Sequence, residues 1–370
     1  MKTGIVAPFP PYRGGIAQFS MKLLQTLSSC YPEDEFIPLS YRRLYPSLLF
    51  PGTSQLEPGT SVMEKGAERL VDSCNPLVWL STRSSLERRG FNRMIIQWWH
   101  PFFAPSLMAS IPSSIPSASI CHNVIPHESF PMAGKLSRRF LGRMKLAVVH
   151  SGTDLEEAES LDLGTRLLQL YHPIYDQYVD PDMTRQKARD QLGYSGKTRL
   201  VLFFGLVRSY KGVQDLVRAM GSLPEDILLL IVGECYSDRR EIMDIISSLG
   251  LSRRIMWIDR FVPDEEVPVY FNAADIVALP YRQATQSGVA QIALSFGKVL
   301  VLTDTGGLSE LVEPGSTGYL AQPWSPSSVA ESILEAFNLL MDPLTGERIH
   351  RKAASFSWEN YARKLMEALR

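Results

Sequence analysis

Two loops in the second half of the chain carry residue types that suit a phosphate. In Leu200-Val-Leu-Phe-Phe-Gly-Leu-Val-Arg-Ser-Tyr-Lys-Gly212 an apolar run ends at Gly205, and Arg208 and Lys211 follow before a helical pattern. A glycine at a strand end lets the backbone approach a ligand closely. Arginine supplies forked hydrogen bonds and lysine a point charge, so the two together neutralise a dianion. A solvated basic turn would have the same spacing. In Leu279-Pro-Tyr-Arg-Gln-Ala-Thr-Gln-Ser-Gly-Val289, Thr285 or Ser287 can cap a helix, and Gly288 leaves first-turn N–H groups open. Those N–H groups and the helix dipole favour an anion. Capped helix starts are common, so the loop has force only beside the first.

Two glycine pairs stand before helices. Gly14-Gly15 follows Tyr12-Arg13, and Gly306-Gly307 precedes Leu308-Ser-Glu310. Neither is a G-x-G-x-x-G fingerprint, which argues against an ordinary dinucleotide dehydrogenase; each fits a backbone nest or a plain tight turn. Five of the six histidines, His100, His122, His127, His150 and His172, fall between positions 100 and 172. His122 ends the run Ala118-Ser-Ile-Cys121, where a strand end would let it hydrogen-bond a sugar hydroxyl. His127 beside Glu128, and His150 before Ser151, are further candidates. Each imidazole equally fits a satisfied buried polar group. Trp98-Trp99 before His100 reads as core or as a stacking platform.

These residues need strands and helices to position them. Short apolar runs alternate with helical patterns throughout, the mark of parallel sheets wrapped by helices. Strands are expected at Thr3–Phe9, Glu35–Leu39, Met94–Trp99, Ser119–His122, Leu146–Ser151 and Leu167–Tyr171. A helix over Ile16–Ser29 has Phe19, Leu23, Leu24 and Leu27 on one stripe. A second series of strands runs Thr198–Gly205, Asp226–Gly233, Ile255–Asp259, Asp275–Pro280 and Val299–Thr303. Tyr171–Tyr194, with Pro173 and Pro181, reads as the linker, and Leu44–Gly66 and Ile111–Ser119 read as loops. Domains are therefore expected over 1–175 and 195–356, with an amphipathic helix at 357–370.

Composition bounds the rest. The chain has 370 residues, a size that favours two cores over one. Lys plus Arg is 38 against 39 for Asp plus Glu, a net charge of −1 with no global drive to bind nucleic acid. The four cysteines form no C-x-x-C pair and read as buried small residues in a reducing compartment. The longest apolar run is far short of a membrane span, so the expectation is a cytoplasmic protein. Lys135 to Lys145 holds five cations and no acid. That suits anionic lipid headgroups, or an exposed helix face.

The order of these motifs resembles glycosyltransferase family 4. The likeness covers nearly the whole chain and is most specific in Phe203–Gly212, Ala284–Val289, Thr303-Asp-Thr-Gly-Gly-Leu-Ser-Glu310 and Phe356-Ser-Trp-Glu359. It implies an α/β fold of two facing Rossmann-like domains with an interdomain cleft (GT-B), the terminal helix packing back on the first. It implies a retaining, metal-independent transferase that takes a nucleotide-diphosphate sugar as co-substrate, uses no other cofactor, and delivers the sugar to a glycan, lipid-linked or small-molecule acceptor. By position, Lys211 with Arg208 would hold the donor diphosphate, and Thr285, Gln286, Ser287, Gly288 and Val289 would donate to the same phosphates. Phe261 and Val262, after Arg260, would hold the base. His122 would lie near the sugar, with His100, Glu310, Gly14 and Gly15 completing the substrate contacts.

The sequence departs from the family in two respects. Leu206 stands where the family has an arginine, a role Arg208 would assume, and Ala284 and Ile292 stand where it has glutamates. A degenerate homologue that binds a nucleotide sugar or a partner without turnover, and a nucleotide-sugar epimerase of similar architecture, are the alternatives.

Overall fold

A computed structural model of the protein describes residues 1–46, 55–56, 66–126, 130–284 and 286–370. The chain divides into two compact units, Met1–Tyr171 with Trp358–Arg370, and His172–Ser357. His127 and Glu128, Thr285, and most of the expected Leu44–Gly66 excursion lie outside the described residues.

The first unit has seven parallel strands, β1 (Lys2–Val6), β2 (Glu35–Arg43), β3 (Glu68–Asp72), β4 (Arg93–Trp98), β5 (Ser117–Cys121), β6 (Leu146–Val149) and β7 (Arg166–Gln169), in the order β3-β2-β1-β4-β5-β6-β7. Its helices are α1 (Gly15–Cys30), α2 (Pro76–Arg88), α3 (Ala104–Ser110), α4 (Ala133–Leu141) and α5 (Gly152–Ser160). Strands β4 and β5 are buried along their whole length, as parallel strands covered on both faces must be. The expected stripe on α1 buries Phe19, Leu23 and Leu27 in the same cluster as Trp358, Tyr361, Leu365 and Met366 of the terminal helix Trp358–Ala368. Neither β3 nor α2 is anticipated from the sequence. The edge strand Glu-Arg-Leu-Val-Asp is short and charged. The one local signal for α2 is Asn75-Pro76, where Asn75 Oδ1 caps Leu77 N at 3.1 Å and proline takes the first turn.

The second unit has six parallel strands, β8 (Arg199–Phe204), β9 (Ile227–Val232), β10 (Ile255–Ile258), β11 (Ile276–Leu279), β12 (Val299–Thr303) and β13 (Gly318–Ala321), in the order β10-β9-β8-β11-β12-β13. Helices α6 (Arg185–Leu192), α7 (Val213–Met220), α8 (Arg239–Ser248), α9 (Val267–Ala273), α10 (Gly288–Ser295), α11 (Pro326–Leu339) and α12 (Thr345–Ala354) complete it. Each sheet reverses its direction of growth beside its first strand, between β1 and β4 and between β8 and β11. In open parallel sheets, ligands bind at the carboxyl ends of the strands at this reversal.

The stretch expected as a linker is instead the start of the second unit, because it contains α6. That helix is capped by Thr184 and stopped by Gly193 at φ 74°. Its anchor is Arg189, which is fully buried. Arg189 Nε donates to Ala273 O at 2.9 Å, and Nη1 reaches the carbonyls of Ser195, Gly196 and Thr198 at 3.0, 3.1 and 2.8 Å. Nη2 pairs with Asp275 Oδ2 at 2.9 Å, and the same oxygen accepts Leu200 N at 2.8 Å. The start of β8, the end of α9 and α6 are thus tied through one guanidinium. The expectation of buried cysteines holds for Cys121 alone. Cys30 is exposed where α1 ends, Cys74 and Cys235 are half-buried, and all four are free.

Arg189→Ala leaves five acceptors short of a donor, and breaking such a buried pair costs about 3–5 kcal/mol. Urea unfolding should register a loss of that size, only partly recovered in Arg189→Lys. An unchanged midpoint would show that the contact bears no load.

Candidate functional site

At the β8–β11 reversal two backbone turns are forced together. Gly212, at φ 64°, stands against Pro280 so closely that an added Cβ would lie 2.1 Å from Pro280 O. Gly205, at φ 109°, ends β8, and a Cβ there would lie 3.2 Å from Lys211 Nζ and 3.4 Å from Val289 Cγ2. The ammonium of Lys211 and the first turn of α10 therefore flank one side-chain-free position. Lys211 Nζ also lies over the Tyr281 ring, 4.9 Å from its centroid. That ring is almost wholly buried, its hydroxyl accepts from Ser287 Oγ at 3.4 Å, and its carbonyl accepts from Thr303 Oγ1.

The helix start is built as expected. Ser287 Oγ caps α10 by accepting from Ala290 N at 3.3 Å, and Ser287 O accepts Gln291 N at the same distance. The amides of Gly288 and Val289 come first in the helix and have no intrahelical acceptor. Tyr175, buried in the second unit, packs against Gly288, where a Cβ would meet its ring at 3.2 Å. His172 Nε2 and the Tyr175 hydroxyl are 3.4 Å apart, and burial pushes His172 down to about 4, so this imidazole is neutral at pH 7. Two partial positive devices, an ammonium and a helix N-terminus, thus meet at the carboxyl ends of β8 and β11. Chemically, that arrangement suits an anion.

The remaining residues singled out from the sequence are distributed as follows. Arg208 is half-buried with its guanidinium 5.3 Å from the Tyr236 ring centroid, a different ring from the one under Lys211. Phe261 is exposed and Val262 buried. The preceding Arg260 is locked by Glu266 and donates to Tyr270 Oη at 3.2 Å, and the guanidinium holds the Glu266 carboxyl below its ordinary range. Glu310 lies in the short 3-10 turn Gly306–Leu311 after β12. Ala284 and Ile292 are buried in the core of the unit. In the first unit, Gly14 at φ 108° precedes α1. His122 Nε2 donates to Gln97 Oε1 at 2.7 Å, and its ring meets Phe19 edge-on at 4.9 Å. His150 bonds the Tyr361 hydroxyl at 2.9 Å within the same aromatic group. His100 Nδ1 accepts Phe102 N at 3.1 Å and so caps a turn. The buried alternative thus describes His150 well.

Sequence reasoning missed Tyr281, Arg282 and Asp215. Arg282 Nε and Nη2 grip Asp215 Oδ2 and Oδ1 at 2.9 and 3.0 Å. Tyr281 and Arg282 follow β11 after Pro280 and share the loop of Ser287, so position along the chain was a usable signal for them. Asp215 lies on α7, far off in sequence, and had none.

These features define a Rossmann-like domain whose sheet reverses beside a lysine ammonium and a helix N-terminus. Residues 184–354 match the family model for glycosyl transferases group 1. A D-inositol 3-phosphate glycosyltransferase of Corynebacterium jeikeium is 32% identical over 238 residues, 60% of this chain and 56% of the relative. The chain spans about half the length of the curated relatives it matches. The sucrose-phosphate synthase of Thermosynechococcus elongatus superposes over 99% of this chain and 97% of its own, with TM-score 0.76 and 18% identity. The Anabaena protein HepE in complex with UDP covers 100% and 99%, with TM-score 0.73 and 16% identity. At such identities the likeness establishes the fold, and it is the GT-B fold that the sequence resemblance implied.

Gly212→Ala combines a left-handed backbone with a collision against Pro280 O, a cost of roughly 2–4 kcal/mol. Chemical denaturation should show that loss. A wild-type midpoint would mean the two turns are not held this close.

Proposed function

We propose that the protein transfers a sugar from a nucleotide-diphosphate donor to a glycan, lipid-linked or small-molecule acceptor, with retention and without a metal. The observation that carries this reading is the meeting of Lys211 with the capped start of α10 across Gly205. UDP bound to HepE, which has the same fold, supports a nucleoside diphosphate as the ligand class. As the bond from the anomeric carbon to the diphosphate oxygen breaks, charge grows on the leaving phosphate. The Lys211 ammonium and the Gly288 and Val289 amides are preorganised donors for that charge. The acceptor oxygen then bonds to the oxocarbenium-like carbon on the face the diphosphate leaves, and its proton passes to the departing phosphate oxygen. Arg208 adds a second cation in this reading, and Phe261 and Val262 serve the base. Gln286 and Ser287 serve the phosphates, as Thr285 does in the family resemblance. The same resemblance assigns His122, His100, Glu310, Gly14 and Gly15 to substrate contacts.

A second reading, binding of a nucleotide sugar without turnover, draws on one observation. Both positions where the family has glutamates, Ala284 and Ile292, are apolar and buried in the core. Release of labelled sugar from a panel of UDP-, GDP- and ADP-sugars separates the two readings. Transfer or hydrolysis supports the first, and saturable binding with no release supports the second.

Lys211→Ala should lower kcat/KM by about 10²–10³-fold, the usual cost of one preorganised charge-stabilising donor, with an unchanged unfolding midpoint. Turnover should survive EDTA. Near-normal transfer by the variant would overturn the role of Lys211, and loss of turnover in EDTA would overturn metal independence.

We further assign the cations of 135–145 to an anionic lipid surface. Lys135, Arg138, Arg139, Arg143 and Lys145 are all exposed. Burial, and then the charges of Arg83 and Arg139, hold Arg143 below its ordinary value, so the cationic field extends to α2. On α2, Leu77 and Leu80 are exposed by 78% and 62%. Two acids offset part of the charge, Glu87 at 3.2 Å from Arg83 and Asp162 at 3.4 Å from Arg138. No helix among the described residues is long and apolar enough to cross a membrane. Sedimentation with phosphatidylglycerol vesicles, but not phosphatidylcholine vesicles, is expected, and high salt should reverse it. Equal binding to both, or to neither, would contradict the assignment.

A further inference from the structure

Arg282 is placed between the two anion-binding devices and belongs to neither. Its backbone amide donates to Tyr210 O at 2.7 Å, which joins the β11–α10 loop to the turn that carries Lys211. Its side chain makes the same join a second time. Nε and Nη2 hold both carboxylate oxygens of Asp215 in the first turn of α7, and Nη1 reaches Ser209 O at 3.3 Å. The pair is well buried, with side-chain exposures of 13% for Arg282 and 6% for Asp215, so little solvent screens it. Arg218 Nη1, at 3.6 Å from Asp215, is the other cation facing that carboxylate. The flat face of the guanidinium lies 3.9 Å from the ring centroid of Trp324, which caps it although the indole itself is exposed. Ser209 is pinned in turn, since its Oγ donates to Asp238 Oδ2 at 2.5 Å. That bond holds the Asp238 carboxyl below its ordinary value.

We propose that Arg282 is a positioning residue. By gripping Asp215 and the Lys211 turn at once, it sets the separation between the Lys211 ammonium and the N-terminus of α10, and donor affinity and turnover depend on that separation. This rests on the nucleotide-diphosphate reading above. Only a planar fork can supply the paired bonds to Asp215, keep a third to Ser209 O and present a face to Trp324, so lysine is a poor substitute. A displacement of about 1 Å in a charge-stabilising group costs up to ~10²-fold in rate. Arg282 therefore acts on the chemistry through Lys211 and α10.

The test uses the full-length chain as wild type, Arg282→Ala, Arg282→Lys, Asp215→Asn and the Arg282→Ala/Asp215→Asn double variant. With the sugar nucleotide that the wild type turns over, each single variant should lose about 10–100-fold in kcat/KM for the donor, with the acceptor KM unmoved. The double variant should lose no more than the worse single one, because both act through one contact. Arg282→Lys should recover only part of the loss. Hydrogen exchange without ligand supplies a second readout. In Arg282→Ala the amides of 209–212 and 282–290 should exchange at least 10-fold faster, while those of β9 and α11 stay unchanged. Wild-type donor kinetics in folded Arg282→Ala, or losses that multiply in the double variant, would overturn the proposal. So would unchanged exchange in those two loops. If the wild type binds no nucleoside diphosphate, the donor reading fails, and the exchange pattern still decides whether Arg282 fixes the two loops.

Discussion

The approach of two backbone turns at one reversal point is the constraint on which the second unit depends. Gly212 against Pro280 O leaves no room for a side chain, and Gly205 keeps the space between Lys211 and Val289 clear. Parallel strands β8 and β11 deliver both turns to the same edge of the sheet, and the register Val201 beside Ile276 sets their level. The packing thus supplies an ammonium and a helix N-terminus side by side. Held in place before any ligand arrives, such groups need no rearrangement when charge appears between them. The chemistry proposed here follows from that geometry.

The two positions where the family resemblance implies glutamates give this constraint more weight. Ala284 and Ile292 are core residues here, so the late helix contributes its amides and cap with no carboxylate beside them. The arginine expected at Leu206 is also absent, and Arg208 lies over a different ring. Among the described residues, this loop pair brings together Lys211, the helix start and the scaffold that spaces them. The Arg282–Asp215 pair belongs to that scaffold.

The sequence makes the strands of the core legible, because buried parallel strands such as Leu200–Phe204 and Ile227–Val232 are continuous apolar runs. Edge strands β3 and β13 carry no such run. Helix α6 was hidden in the apparent linker because Arg-Gln-Lys-Ala-Arg-Asp-Gln-Leu has no apolar stripe. Its stability comes from Arg189 reaching Asp275, 86 residues away. The site divides in the same way. Glycine followed by cations, and a serine cap before glycine, are local patterns and were readable. The grip of Arg282 on Asp215 joins residues 67 apart and has no local trace. His150 shows the limit from the other side: a strand-end histidine reads as a candidate until Phe19 and Tyr361 are seen packed around it.

The central claim is that Lys211 and the start of α10 together hold a diphosphate. Calorimetric titration of the wild type and of Lys211→Met with UDP, GDP and ADP, each paired with its parent nucleoside, tests it most directly. The account predicts that at least one diphosphate binds far more tightly than its nucleoside, and that the difference largely disappears in the variant. A nucleoside bound as well as its diphosphate, or a diphosphate bound equally by both proteins, would contradict it.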